Sequence, residues 1–390
     1  MKNHSYRVLL FLFIGLSNLI LSQQSFEEWR QLRDQGIEAF ADEQNNYNEN
    51  ITRAYEQYIE RENLEFENYK DRIERKWGKF KGSTPKKHVE YSEDLNGRSS
   101  VDFESGKVEV EVLIEDTESK RRSESSQLAE DKLKKQIEEL ISKESKENNL
   151  ALKDQIATKN GQIVNKDNAK EFSKEVVSDA SLKTSKVRSK DGKKRVVYTV
   201  TFNLLPDHIE TRAKQFRNDI LNQSKRFKVD PALVMAIMHT ESNFNPKARS
   251  PVPAYGLMQL VPKTGARDAY LFVYGKDKLL NADYLFTPKN NIELGVGYIK
   301  KVRSIYFSKI KDEKSALFCT IAAYNTGAGN VAKAFTKKKK LGPAIKRINT
   351  LSTEQVYKKL TKDLPYKETK KYLSKVRERY EDYKEANDGQ

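Results

Sequence analysis

The sequence predicts an α+β N-terminal domain, residues 23–206, followed by an all-α domain, residues 207–390. Three observations carry that division. Apolar and polar residues alternate at Val108, Val110, Val112 and Ile114, and again at Val196, Tyr198, Val200, Phe202 and Leu204, which is the two-residue period of a strand. Other apolar runs before Pro206, and every one after it, recur at three or four residues, the period of a helix. The stretch after Pro206 also holds three start signals, Asp230-Pro231, Thr287-Pro288 and Leu364-Pro365; in the first two a capping residue precedes a proline whose fixed φ suits the first helical turn.

At the N-terminus, Lys2 and Arg7 precede an apolar run from Val8 to Leu21, and Ser22 offers a small residue before Gln23. This pattern predicts a secretory signal over residues 1–22. It is shorter than the ~20 apolar residues of a spanning helix. Residues 25–78 read as a long helix or helical pair whose stripe of Tyr47, Ile51, Tyr55, Tyr58, Phe66, Tyr69, Ile73 and Trp77 packs into a core. A β-hairpin follows, with Val101 and Phe103 before a Ser105-Gly106 turn and the Val108–Ile114 run after it. Residues 116–150 form a charged helix with Leu128, Leu133, Ile137, Leu140 and Ile141 on one face. A last strand pair brackets Asp191-Gly192. This half contains no metal-ligand spacing, no paired carboxylates and no glycine-rich phosphate loop.

Composition narrows the function classes. The 390 residues carry 72 Lys+Arg and 56 Asp+Glu, so 72 − 56 gives +16. Residues 23–206 hold 34 basic and 37 acidic groups, whereas residues 207–390 hold 36 and 19, a net of +17. The basic half implies an anionic partner: nucleic acid, a membrane surface or an acidic polymer. An export signal and the lack of a nucleic-acid-binding motif remove the first. Cys319 is the only cysteine, which excludes an intrachain disulfide and a thiolate zinc cluster, and no cysteine near Ser22 offers a lipid attachment point.

Four stretches after Pro206 stand apart. The first is Glu241-Ser242-Asn243-Phe244-Asn245-Pro246, where the helix from Pro231 must stop because proline disfavours helix in the residue before it. Glu241 sits in the last turn, one turn beyond apolar Ile237 and Met238. Desolvation and the negative end of the helix dipole both favour a protonated carboxyl there. Taken alone, a glutamate at a helix end is an ordinary solvated group. The others are Gly256-Leu257-Met258-Gln259 after a proline-rich loop from Ser250, Ala323-Tyr324-Asn325, and Pro365-Tyr366-Lys367-Glu368-Thr369 ending in Tyr372. Glu368 falls near a helix start, where a carboxylate satisfies free N–H groups.

In this order the four stretches resemble the soluble lytic transglycosylase domain, with its goose-lysozyme-like fold. Trp77-Gly78, the run Arg98 to Gly106 and Gly265-Ala266-Arg267-Asp268-Ala269-Tyr270 look like the membrane-bound lytic murein transglycosylase C group. The resemblance implies cleavage of the β-1,4 bond between N-acetylmuramic acid and N-acetylglucosamine in peptidoglycan, without water, leaving a 1,6-anhydro-muramyl end. It implies that Glu241 is the catalytic acid and base, that Ser250, Gln259, Tyr324 and Asn325 line the sugar sites with Met258 beneath, and that Tyr372 bonds to Glu241. It implies no metal or cofactor, a periplasmic location, glycan strands as partner, and room for membrane or wall proteins as further partners. Two positions depart from the group: Pro253 stands where glycine is common, and the lipoprotein cysteine of many members is missing, which sets this chain apart from a lipid-anchored outer-membrane protein.

A single candidate carboxylate fits that chemistry. Hydrolytic glycosidases use two, ~5–5.5 Å or ~6.5–9.5 Å apart. Here the substrate's acetamido group and 6-hydroxyl would take the second one's part. A goose-type muramidase, which hydrolyses, and a non-catalytic wall-binding scaffold stay open at this point.

The +17 half leads to a first prediction. Its binding to isolated sacculi should weaken as NaCl rises, because exposed charges are screened beyond about 8 Å at physiological ionic strength. Pelleting assays measure this, and binding unchanged from low to high salt would leave pocket contacts as the sole attraction.

Overall fold

The computed structural model describes residues 23–116, 122–146, 152–179, 182–251 and 253–388. The export segment expected at residues 1–22 lies outside them. The chain divides into two compact units, Met1–Phe66 and Glu67–Gln390. The first holds most of helix α1, Gln23–Trp77, within which Tyr55 and Tyr58 set their rings 6.3 Å apart. The side chains of Tyr47 and Ile51 lie outside the description.

The second unit opens with the end of α1 and a five-stranded antiparallel sheet: β1 Lys87–Tyr91, β2 Gly97–Asp102, β3 Lys107–Glu115, β4 Lys183–Arg188 and β5 Lys194–Asn203, in the order β1-β2-β3-β5-β4. The register follows the alternation in the sequence. Val110 faces Val200, Val112 faces Tyr198 and Ile114 faces Val196 across β3 and β5. One face packs against α2, Arg122–Lys146, through Ala129, Leu133, Ile137, Leu140 and Ile141, and against α3, Ala169–Asp179, through Phe172 and Val177. The opposite face carries Leu113 and Val197 and closes over Ile73 and Trp77. Both expected hairpins are present, turning at Gly106 and Gly192.

Two details differ from the sequence reading. Leu128 is exposed: one residue off the Ala129–Leu133–Ile137 line, it is rotated about 100° away from the core face. Strand β1 carries too few apolar residues to show a period of its own and forms because β2 pairs with it, whereas α3, which the sequence reading did not name, carries Ala169, Phe172, Val176 and Val177 at helical spacing on its core face.

After Pro206 the regular structure is helical: α4 His208–Phe227, α5 Pro231–Ser242, α6 Arg267–Tyr274, α7 Ala282–Phe286, α8 Pro288–Lys301, α9 Glu313–Thr326, α10 Ala328–Thr336, α11 Leu341–Ile348, α12 Thr353–Asp363 and α13 Lys367–Asp388. Asp230 caps α5 by accepting the N–H of Ala232 at 2.9 Å. Thr287 occupies the cap position of α8 without a capping bond, its hydroxyl donating to Asp283 O at 3.2 Å instead, and Pro365 lies two residues ahead of α13, in the connection rather than the first turn. Helix α5 is apolar on nearly all sides, with Leu233, Val234, Ala236, Ile237 and Met238 buried, as befits a helix at the centre of its half.

The sheet and the helices share a polar, buried seam. The Arg212 guanidinium, wholly buried on α4, donates to the Phe103 carbonyl at 2.9 Å, to Gln155 Oε1 and to the Asn243 carbonyl at 3.0 Å. Asn243 Nδ2 also donates to Phe103 O at 3.2 Å, and Asn245 Nδ2 to Pro85 O at 3.1 Å.

Length and start signals alone suggest that residues 207–390 fold by themselves. The seam argues the other way: alone, that segment would lose the hydrogen bonds that Phe103, Gln155 and Pro85 make with Arg212, Asn243 and Asn245, each worth about 0.5–1.5 kcal/mol. The isolated segment is therefore expected to melt at lower temperature, or without cooperativity, compared with residues 67–390. Circular dichroism and calorimetry on the two fragments test this, and equal melting temperatures would show that the seam adds nothing.

Candidate active site

Helix α5 ends at Ser242, and Asn243 follows in the left-handed region at φ +50°, its N–H bonded to His239 O. Phe244 continues the left-handed turn at φ +61° and is fully buried. The stop signal in the sequence thus becomes a double reversal directly after Glu241. Ser242 Oγ donates to Leu257 O at 2.7 Å and joins the end of α5 to the Gly256–Gln259 loop.

That loop is held by a residue the sequence reading did not single out. Asn291 of α8 is fully buried; its Nδ2 donates to Tyr255 O and Leu285 O, both at 2.8 Å, and its Oδ1 accepts from the Met258 N–H at 2.8 Å. Its one sequence signal is a polar residue on the helix face that carries Ile292 and Leu294. Gly256 is required at the crossing: φ is +75°, and a Cβ there would lie 2.4 Å from Leu285 O and 2.5 Å from Asn291 Nδ2. Met258 seats its thioether over Gly295, where any Cβ would meet the sulfur at 2.2 Å.

Glu241 combines dense packing around its carboxyl with a residue that is only half-buried, so water and a substrate can still reach it. Desolvation pushes its pKa up to about 8, and the nearby charge of Glu368 adds to the rise. The Tyr372 phenol faces Glu241 and opposes the rise by favouring the carboxylate. Its oxygen is buried and completes no hydrogen bond of standard geometry, so its contact with Glu241 is an imperfectly aligned one. Tyr324 is buried too, donates to Met258 O at 2.8 Å and sets its ring 5.5 Å from Tyr298. Both phenols are held well above the usual tyrosine range, by burial first and then by the Glu241 charge.

The remaining candidates are placed as follows. Gln259, left-handed at φ +48°, donates from Nε2 to Gly256 O at 2.9 Å and Ala248 O at 3.1 Å, leaving Oε1 as a buried acceptor without a partner. Asn325 at the end of α9 is held by Thr369, whose hydroxyl donates to its Oδ1 at 2.8 Å; Thr369 is a second residue that the sequence reading left unassigned. Ser250 accepts the Ala254 N–H at 3.1 Å and closes the proline-rich loop. Glu241, Met258, Tyr324 and Tyr372 thus share one neighbourhood, with Gln259 adjoining through Met258, while Ser250 is placed by its own loop. Glu368 lies exposed in the first turn of α13. Among the described residues no cluster of His, Cys, Asp and Glu could hold a metal ion.

Comparison with known proteins bears on this arrangement directly. The family model for the N-terminal domain of membrane-bound lytic murein transglycosylase C matches residues 57–215, and the transglycosylase SLT domain matches residues 219–346. The membrane-bound lytic murein transglycosylase C of Salmonella arizonae is 33% identical over 321 residues, covering 79% of this chain and 85% of the relative. The chain belongs to this family. The protein of the same name from Klebsiella pneumoniae is 32% identical over 77% of this chain and 82% of its own length. Among solved structures, an inactive variant of the lytic transglycosylase Slt from Pseudomonas aeruginosa is 26% identical, with a TM-score of 0.35; the match spans 44% of this chain and about a quarter, 24%, of Slt. Among the described residues of this transglycosylase, no helix is long and apolar enough to cross a membrane.

The loop geometry makes Gly256→Ala a sharp test. A left-handed alanine pressed against backbone should destabilise the protein by about 2–4 kcal/mol and reduce turnover with it. Chemical denaturation and activity on soluble strands measure both, and wild-type stability would mean that the Asn291 crossing is looser than the geometry requires.

Proposed function

We propose that this chain cleaves the glycan strands of peptidoglycan between N-acetylmuramic acid and N-acetylglucosamine with Glu241 as sole acid and base, forming 1,6-anhydro ends. One observation carries the reading: a half-buried carboxyl that desolvation keeps protonated at neutral pH, facing two buried phenols, with the other nearby carboxylate exposed at a helix start. An acid poised near the working pH is suited to give up a proton and take one back.

The steps follow from that group. Glu241 passes its proton to the glycosidic oxygen as the bond from C1 of the muramyl residue breaks, and the N-acetylglucosamine part leaves as an alcohol. The muramyl acetamido oxygen closes on C1 and holds the positive charge. Glu241, now a carboxylate, takes the proton of the muramyl 6-hydroxyl, whose oxygen attacks C1 and displaces the acetamido oxygen. No water is consumed, and Glu241 ends protonated as it began.

The surrounding residues have roles consistent with this. Gln259 Oε1 can accept a hydrogen bond from a sugar hydroxyl or amide. Tyr324, whose proton is committed to Met258, offers lone pairs, while Asn325, steadied by Thr369, adds an amide at the cleft edge. Tyr372, which already favours the carboxylate, stabilises it between the two proton transfers as the contact aligns on binding. Ser250 shapes the loop that borders the site. The export signal and the family's membrane-bound name support the cell envelope, on the periplasmic side, as the place of action.

Glu241→Gln tests this reading. Turnover should fall by at least about 10²–10⁴-fold, since the amide neither gives nor takes the proton. In the wild type, kcat/KM should decline as pH rises through about 8, where the free enzyme loses that proton. Stability has a matching sign. The folded carboxyl keeps its proton where the unfolded one ionises, so the native state loses stability as pH rises from the ordinary glutamate range toward 8. The variant should therefore melt higher than wild type near pH 8, by roughly 2–6 °C, and the gap should close near pH 4. Muropeptide masses one water heavier than anhydro products would point to hydrolysis, and near-wild-type release by Glu241→Gln would remove the assignment.

A further inference from the structure

We propose that Arg212 is a positioning residue for the reaction, holding the turn that ends the Glu241 helix against the β2–β3 turn of the sheet half. The inference rests on the reading of Glu241 above.

Glu241 is followed within three residues by two non-glycine residues at positive φ, Asn243 at +50° and Phe244 at +61°. Each such residue costs about 1–2 kcal/mol, and a bulky side chain there persists only where its surroundings impose it. Arg212 and the carbonyl it shares supply that constraint. Arg212 Nε donates to Asn243 O at 3.0 Å, Nη2 donates to Phe103 O at 2.9 Å, and Asn243 Nδ2 donates to the same Phe103 carbonyl at 3.2 Å. The guanidinium lies 4.7 Å from the centre of the Phe103 ring, and its Nη1 meets Gln155 Oε1 and, at 2.9 Å, His208 Nδ1. The strained turn is thereby closed into a ring of hydrogen bonds that begins and ends in the sheet half.

Arg212 is an expensive choice for stability alone. It is fully buried, and its recorded partners are carbonyls, an amide and an imidazole rather than a carboxylate. Burial depresses its affinity for the proton, yet its pKa stays near 9, so the group is cationic at neutral pH. An apolar side chain of similar volume fills such a space as well or better. What it cannot do is grip a carbonyl on each side of the seam. Fixing Asn243 O fixes the exit of α5, seats Phe244 beneath His239 with ring centres 5.5 Å apart, and sets the direction from which Glu241 meets Tyr324, Tyr372 and Glu368. Misplacing a reacting group by about 1 Å can cost on the order of 10²-fold in rate.

The test uses the full chain and soluble glycan strands, comparing Arg212→Met, Arg212→Lys and Asn243→Gly with Ile137→Ala, a core control on α2 whose side chain takes no part in the hydrogen bonds of the seam. Asn243→Gly accepts positive φ without strain, so it folds even if Arg212→Met does not. Arg212→Met should lower kcat by about 10–100-fold with KM within about threefold, and Asn243→Gly, which keeps the carbonyl that Arg212 grips and loses only the Nδ2 bond to Phe103 O, should lose less. Their alkaline limb in kcat/KM should move toward lower pH as water reaches Glu241. Arg212→Lys, keeping the charge but not the fork, should recover only a small part of the loss. Ile137→Ala should lower the melting temperature and leave kcat and the limb in place. Wild-type kcat and limb in Arg212→Met or in Arg212→Lys, or losses matched by Ile137→Ala at equal melting temperature, would overturn the proposal. Activity retained by Glu241→Gln would instead overturn the reading beneath it, whatever the seam variants do.

Discussion

A carboxyl group that must hold its proton at neutral pH has to be kept from bulk water while remaining open to a sugar chain. That requirement organises the helical half of this transglycosylase. Helix α5 is apolar on almost every side because it must run through the centre of the core and present Glu241 at its last turn. The walls around it must be rigid without being charged. Asn291, Tyr324 and Ser242 achieve this by bonding to backbone carbonyls or N–H groups of the Gly256–Gln259 loop, each satisfying a buried polar group without adding a counter-ion. A lysine or arginine in any of those places would stabilise the carboxylate and lower the very pKa that burial raises.

How much of this was legible in the sequence depends on whether the signal was local. Asp230-Pro231, the alternation in β3 and β5, and the stop before Pro246 are local rules, and all three appear in the fold. Leu128 failed because a helix face was judged by apolar content rather than by the angle from Ala129, Leu133 and Ile137. The roles of Asn291 and Thr369 are not legible, because a buried polar residue looks like any other until its partners, 33 and 44 positions away, are known. Arg212 was the hardest to see. It looks like one more basic residue in a half with 36 of them, and only its burial separates it from the solvated remainder.

The sheet half shows the limit of motif reading from the other side. It carries no chemical constellation, and a search for side-chain chemistry leaves it without a part. Its contacts with the helical half are made largely by main-chain atoms, the carbonyls of Pro85 and Phe103, which any residue type supplies. Their placement depends on the tight β2–β3 turn at Gly106 and on the hairpin register that carries it. An element can thus be near neutral, lack catalytic side chains and still bear on catalysis through the position of two oxygens.

The basic exterior and the protonated interior of the helical half seem to pull against each other. A net of +17 favours the carboxylate form of any acid within reach of its field. Distance and solvent decide the outcome. Surface charges act through water and ions and fade beyond about 8 Å at physiological salt. Loss of water around Glu241 acts at contact, and it is the largest influence on that group. Glu368, exposed but near, adds to it, and the opposing phenol of Tyr372 does not cancel it. The long-range charge is therefore left to gather an anionic polymer onto the surface, and the short-range burial to keep the proton that cuts it. The two demands coexist because screening separates them in space: the field of the surface cations fades before it reaches Glu241, where desolvation is the largest influence.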